Sequence, residues 1–259
     1  KAFAPANISC VFKIYWHKNP RWMGSYGIGF TLDKGVVVKA SRARRNEVVF
    51  NNRPINFPTV KNVMEKLSKQ KIKTEIKTRL PLGCGFGLSG ASALATSYAI
   101  NKLLRLKKTK KELAIIAHTS EVENKTGLGD VTNQFYGGFC LKTKPSSYFE
   151  VERIPIINVK VYCRHYGKIS TKSIITNPKM KNRINKAASA ALKKIKALGK
   201  GIRLDQVIRI SRDFAFDSRL LKHKQTKYTI ENIKKHGGNA SMIMLGNAVF
   251  SDVPFKNFI

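Results

Sequence analysis

At 259 residues and 42% hydrophobic content, the chain can bury a sizeable core, as one large domain or two small ones folded together. No uncharged apolar run approaches the roughly 18 to 20 residues that cross a bilayer, which argues against a membrane protein. The 49 Lys and Arg against 15 Asp and Glu leave a formal charge of +34, ordinarily the footprint of a nucleic-acid binder. The cations, however, run from Lys1 to Lys256 without gathering in a tail or stripe, so nucleic acid is not the expected partner.

The opening KAFAPANISCVF lacks a basic leader followed by an apolar stretch and a cleavage site, so a cytoplasmic location is expected. Cys10, Cys84, Cys140 and Cys163 form no close pair with one another or with a histidine. A zinc module is therefore excluded, and reduced, buried thiols are expected.

Stretches of alternating or β-branched residues at 8–15, 35–40 and 73–78 read as strands. Between them Val60, Val63, Met64 and Leu67 stand at helical spacing. Residues 91–104 are apolar on nearly all sides, which predicts a buried helix. Thr109 and Glu112 form a capping box that should open another helix reaching Glu123. From about residue 150 the pattern restarts. Strands are expected at 156–164 and 169–174, a lysine- and alanine-rich helix at 181–198, a helix at 230–235, and then a strand through the apolar run 240–250. No internal repeat or low-complexity linker occurs, so the two units should share an interface.

The chemistry concentrates in PLGCGFGLSGASA, residues 81–93, where Gly83, Gly85, Gly87 and Gly90 lead into the buried helix. Such a loop exposes backbone amides at a helix N-terminus and suits a phosphate; glycine-rich turns also serve tight packing alone. Gly85, Gly87 and Gly90 have the spacing of a dinucleotide fingerprint, but lysines stand where that motif needs an acid about 20 residues on. No Gly-Lys-Ser/Thr ending marks a Walker A loop. In the stretch from Ala117 to Gly138, Glu121 projects from an apolar helix face, a costly place for a carboxylate without a cation. Glu123, beside Ile116, competes for that role. Asp130 follows a Gly127-Leu128-Gly129 turn.

Taken together, Gly85-Phe86-Gly87-Leu88-Ser89-Gly90 resembles the second motif of the GHMP kinases, with Leu88 in place of a serine. The GFG-Leu-SGA wording, and Gly24-Ser25-Tyr26-Gly27-Ile28-Gly29 near the start, are similar to the archaeal pantoate kinases within that superfamily. Ala4-Pro5-Ala6-Asn7 resembles the first motif with Asn7 where a lysine stands in mevalonate-type members. Gly237, Gly238, Ala240 and Ser241, followed by Met244 and Leu245, resemble a reduced third motif.

The resemblance implies an α+β fold, with an N-terminal nucleotide-binding unit over 1–150, a ferredoxin-like unit over 151–259 and the site between them. It implies phosphorylation of pantoate by ATP with Mg²⁺, with homoserine, shikimate and mevalonate as rival alcohols. The ATP loop would comprise Pro81, Gly83, Gly85, Phe86, Gly87, Leu88, Ser89, Gly90 and Ala91. Ser89 and Glu121 would hold the metal, and Asp130 would face the reacting hydroxyl. Ser25 and Lys142 are the candidates for the acceptor, Lys142 because a carboxylate asks for a cation, although a solvated lysine is the plainer reading. A homodimer is the family's expectation.

Overall fold

Alternation along the N-terminal segment buries one side of β1 (Ala2–Tyr15) from Ala4 to Ile14, and the strand pairs antiparallel with the long β2 (Gly24–Arg42). The computed structural model describes all 259 residues. After this hairpin come β3 (Glu47–Phe50), β4 (Arg53–Pro54), α1 (Pro58–Leu67), β5 (Ile72–Lys77), α2 (Leu88–Leu104), α3 (Lys110–Glu123), α4 (Asp130–Tyr136), β6 (Phe139–Lys142) and β7 (Glu152–Ile154). The remainder is β8 (Tyr162–Lys168), α5 (Thr171–Ile175), α6 (Pro178–Leu198), α7 (Leu204–Asp217), α8 (Lys224–Lys235), β9 (Ala240–Met242) and β10 (Gly246–Ser251).

Seven strands form the larger sheet, in the order β4-β3-β5-β2-β6-β7 with β1 added to β2. One edge of β2 takes β1, and the other is divided: residues 27–30 pair with β6 and residues 37–42 with β5. A smaller sheet has the order β8-β10-β9. Helix α2 packs against β1 and β2, with α1 and α3 beside it, while α6 and α7 rest on β1. The α6 side chain of Asn185 accepts from the Ile14 amide (2.8 Å) and donates to the Ile14 carbonyl (3.1 Å), while the α7 hydroxyl of Ser211 donates to the Cys10 carbonyl (2.9 Å). Both sheets therefore feed one continuous core of 62 buried residues. The α+β class is as expected.

The capping box on α3 forms as its letters imply: Glu112 accepts from the Thr109 amide at 2.8 Å and donates its own amide to Thr109 Oγ1 at 3.2 Å. All four cysteines are free and buried. Elsewhere the expectations need correction. Residues 169–174 are not a strand, because β8 loses its β10 partner at Lys168 and Ser170 then caps the short helix α5. The strand expected from residue 156 starts only at Tyr162, and Ile157 and Val159 before it are exposed. The run 240–250 is a hairpin rather than one strand, broken by Leu245 at φ 62°. No expectation covered α4, α7 or the edge strands β3, β4 and β7.

One buried histidine ties α3 to the loop between β1 and β2. His118 lies wholly inside, and its Nε2 donates to the Met23 carbonyl at 2.9 Å, which fixes the neutral tautomer. Burial pushes its pKa from 6.5 to about 4, so as pH falls the unfolded chain takes up the proton first. The contribution to stability is complete above 6.5 and is lost as pH falls towards 4, amounting to about 3 kcal/mol at about 1.4 kcal/mol per unit. His118→Gln keeps an amide donor and cannot titrate. Its urea midpoint should fall less steeply than the wild-type midpoint across that window; a pH-independent difference between the two would show that His118 does not titrate there.

Candidate active site

Helix α2 has no side-chain cap. Its N-cap is Gly87, held left-handed at φ 60°, a conformation that glycine adopts without a Cβ penalty. The first intrahelical bond runs from the Ala91 amide to the Gly87 carbonyl at 3.0 Å. The amides of Leu88, Ser89 and Gly90 are thus left for a ligand, at the positive end of a 17-residue helix.

Three elements immobilise this loop. From β1 the Asn7 amide donates to the Phe86 carbonyl at 3.0 Å, and from α4 the Gln134 Nε2 donates to the Gly87 carbonyl at 2.8 Å. After β8 the Ile169 amide donates to the Gly83 carbonyl at 3.2 Å, which joins the smaller sheet to the loop.

The loop forms one wall of a cavity of about 390 Å³. Ser25, Ser89 and Asp130 line it, as do Gly83, Gly85, Phe86, Gly87 and Leu88. Pro81, Gly90 and Ala91 do not line it. Of the reduced third motif, Met244 and Leu245 reach the cavity, whereas Ser241 is buried and bonds Ser211 at 2.9 Å.

Asp130 opens α4, where a carboxylate also suits the helix dipole. Its Oδ1 accepts from Asn7 Nδ2 at 2.6 Å and from Ser9 Oγ at 3.2 Å, while Oδ2 has no protein partner. Enclosure raises its pKa above the ordinary aspartate value, opposed by the charge of Lys142 and by the Asn7 and Ser9 hydrogen bonds.

Glu121 stands one layer behind the cavity wall, fully buried, and neither of its oxygens makes a hydrogen bond. Burial holds its pKa well above the usual carboxylate range, the charge of Asp130 adds to that, and the nearby Ser89 and Thr126 hydroxyls oppose it without closing a bond. The backbone crowds this carboxyl. A Cβ on Gly127 would lie 2.7 Å from either oxygen, and one on Gly90 would lie 2.9 Å from Oε2. Its rival Glu123 is on the surface, paired with Lys66 at 2.7 Å and accepting from Asn62 at 2.8 Å. The structure therefore puts Glu121, and not Glu123, beside the loop.

An unpartnered buried carboxylate next to a serine hydroxyl is a set of hard oxygen donors and fits a magnesium ion. Gln134 Oε1, also buried and unpartnered, lies 2.9 Å from the same Gly90 Cβ position.

Lys142, at the end of β6, is buried and donates from Nζ to Asn133 Oδ1 at 2.8 Å. Its Cε lies 3.4 Å, and Ser25 Oγ 2.3 Å, from where a Cβ on Gly129 would be, so both crowd the turn before Asp130. The plain reading of Lys142 as a solvated lysine is thereby corrected. Residues unforeseen from the sequence include Ser9 and the segment 170–172, which line the cavity, and Asn133 and Gln134, which bond Lys142 and the glycine loop from behind it. Ser9 was readable as the next inward position after Asn7 on a strand, and Asn133 as one turn beyond Asp130 had α4 been anticipated.

Comparison with known proteins agrees with this geometry. The GHMP kinases N terminal domain matches residues 55–138. The chain is 34% identical to the pantoate kinase of Methanocaldococcus jannaschii over 96% of this chain and 90% of that protein. It is 30% identical to the pantoate kinase of Methanospirillum hungatei, with 96% and 86% covered. A solved structure described as a phosphotransferase related to the CoA biosynthesis pathway superposes with a TM-score of 0.84 at 29% identity, covering 96% of this chain and 85% of the other. The chain belongs to the GHMP kinase superfamily and, within it, to the pantoate kinases.

Proposed function

We propose that the protein transfers the γ-phosphoryl group of ATP to the primary hydroxyl of pantoate, giving 4-phosphopantoate for coenzyme A synthesis. The observation that carries this is the free Oδ2 of Asp130 in a cavity that the uncapped N-terminus of α2 also lines, the Asp130 Cγ lying 3.3 Å from where a Cβ on Gly87 would be. The full-length similarity to pantoate kinases supports pantoate over homoserine, shikimate or mevalonate as acceptor.

In this reading the free amides of residues 88–90 and the helix dipole take the phosphates. Ser89 and Glu121 would hold Mg²⁺, which supplies charge neutralisation on the phosphates when bound. Ser25 takes the pantoate carboxylate at the cavity wall; Lys142, expected beside it as the cation, does not line the cavity and reaches the site through Asn133. An ammonium has three N–H donors, and Lys142 commits one to Asn133. Asp130 orients the hydroxyl and accepts its proton at Oδ2 as the new O–P bond forms and the bond to the leaving ADP oxygen breaks. No helix is long and apolar enough to cross a membrane. A cytoplasmic homodimer is part of the same proposal.

Asp130→Asn should lower kcat on pantoate by about 10² to 10⁴ with nucleotide affinity nearly unchanged, read by single-turnover rates and nucleotide titration. Retention of turnover within a few-fold would remove Asp130 as base. Glu121→Gln, by contrast, should weaken Mg²⁺-dependent nucleotide binding as well as the rate, because a metal ligand sets the phosphate geometry. Equal affinity for the Mg²⁺ complex in Glu121→Gln and wild type would exclude Glu121 from the metal. A coupled ADP assay over the four alcohols should rank pantoate first in kcat/KM; a higher value for another alcohol would change the acceptor.

A further inference from the structure

Four side chains form a single hydrogen-bonded line from β6 to the cavity. Lys142 Nζ donates to Asn133 Oδ1 (2.8 Å), Asn133 Nδ2 donates to Asn7 Oδ1 (3.0 Å), and Asn7 Nδ2 donates to Asp130 Oδ1 (2.6 Å). Asn7 and Asn133 are wholly buried, Lys142 is 4% exposed, and none of the three lines the cavity.

The two ends of this line are chemically one-way. An ammonium only donates, and an ionised carboxylate only accepts. The two amides between them are symmetric in shape, and each could be turned over at little steric cost. Lys142 removes that freedom, because only the carbonyl end of Asn133 can face it. Asn133 must then present NH₂ to Asn7, and Asn7 must present NH₂ to Asp130. Turning either amide would set donor against donor on one side and acceptor against acceptor on the other. Both amides are shut away from solvent that could make good the mismatch.

Resting on the reading of Asp130 as proton acceptor, we infer that Asn133 and Asn7 are positioning residues for the transfer step. Their amides are locked in one direction by Lys142, so that Oδ1 of Asp130 always meets a donor and Oδ2 is left for the substrate proton. The direction of the line is that required by an ionised Asp130, the form a base must have. Ser9 Oγ, which donates to the same Oδ1 at 3.2 Å, holds the carboxylate rotation from a second side.

Asn133→Asp tests this with almost no change of shape. The new carboxylate keeps Lys142 paired but has no donor, so Asn7 must turn its NH₂ to residue 133 and its carbonyl to Asp130. kcat should fall by about tenfold or more, up to the roughly 10² to 10⁴ that loss of the general base itself would cost, while KM for ATP and for pantoate stays within about twofold. Wild-type kcat in Asn133→Asp would overturn the inference, and so would a rise in the KM for pantoate large enough to account for the loss.

A second readout needs no turnover. In the Asp130→Asn background the side chain at 130 can itself donate to the turned Asn7, so the drop in thermal midpoint caused by Asn133→Asp should be recovered in the double variant. If the double variant is no more stable than Asn133→Asp alone, the inference is wrong. Should Asp130→Asn by itself keep wild-type turnover, the base assignment falls, whereas this stability cycle still reports whether the line of amides exists.

Discussion

An anion-binding helix end must be bare and rigid at once, and that requirement organises the molecule. A capping side chain would occupy the amides of residues 88–90, so α2 starts on a left-handed glycine with nothing over it. Rigidity then has to come from outside the helix. It is supplied through backbone carbonyls of the loop by β1, by α4 and by the segment after β8, which belong to different parts of the chain. The shared core has the same logic: α6 and α7 bear on β1, the strand that pins the loop at Asn7, so the C-terminal half stiffens a site built mainly by the N-terminal half.

Much of this was written in the letters where local physics decides. The capping box at Thr109, the buried helix at α2 and the strand pattern around β1, β2 and β5 follow from spacing and propensity, and they stand where expected. Ser89, Glu121 and Asp130 were singled out by motif register, and the structure sets Ser89 and Asp130 on the cavity with Glu121 buried beside the glycine loop. The failures share a cause. Residues 169–174 are rich enough in β-branched residues for a strand, yet with the β8–β10 pairing ended at Lys168 a serine cap was enough to turn them into α5. A strand depends on a partner that its own sequence does not contain.

Non-local contacts hid the rest of the site for the same reason. A helical wheel favoured Glu121 without excluding Glu123, and the neighbours separate them: Lys66 and Asn62 of α1 capture Glu123, and Gly90 and Gly127 enclose Glu121. Lys142 was a candidate for the acceptor that could equally have been one more solvated cation in a chain of +34, and its β6 register with β2 carries it into the interior beside Asn133. The surplus charge itself finds few acidic partners. The seven ion pairs of the structure all have the partly exposed side chains typical of weak surface pairs, so the charge shapes the field around the molecule more than its stability.

The enclosure of Glu121 has a thermodynamic corollary. A carboxyl sealed between two glycines, with no hydrogen-bond donor, is held well above its usual pKa range by burial and by the charge of Asp130. A cation that settles against it competes with protonation of that carboxyl, so ion uptake and acid release are coupled. In the metal role proposed for Glu121, acidification would therefore weaken occupancy by competition at a single buried oxygen pair.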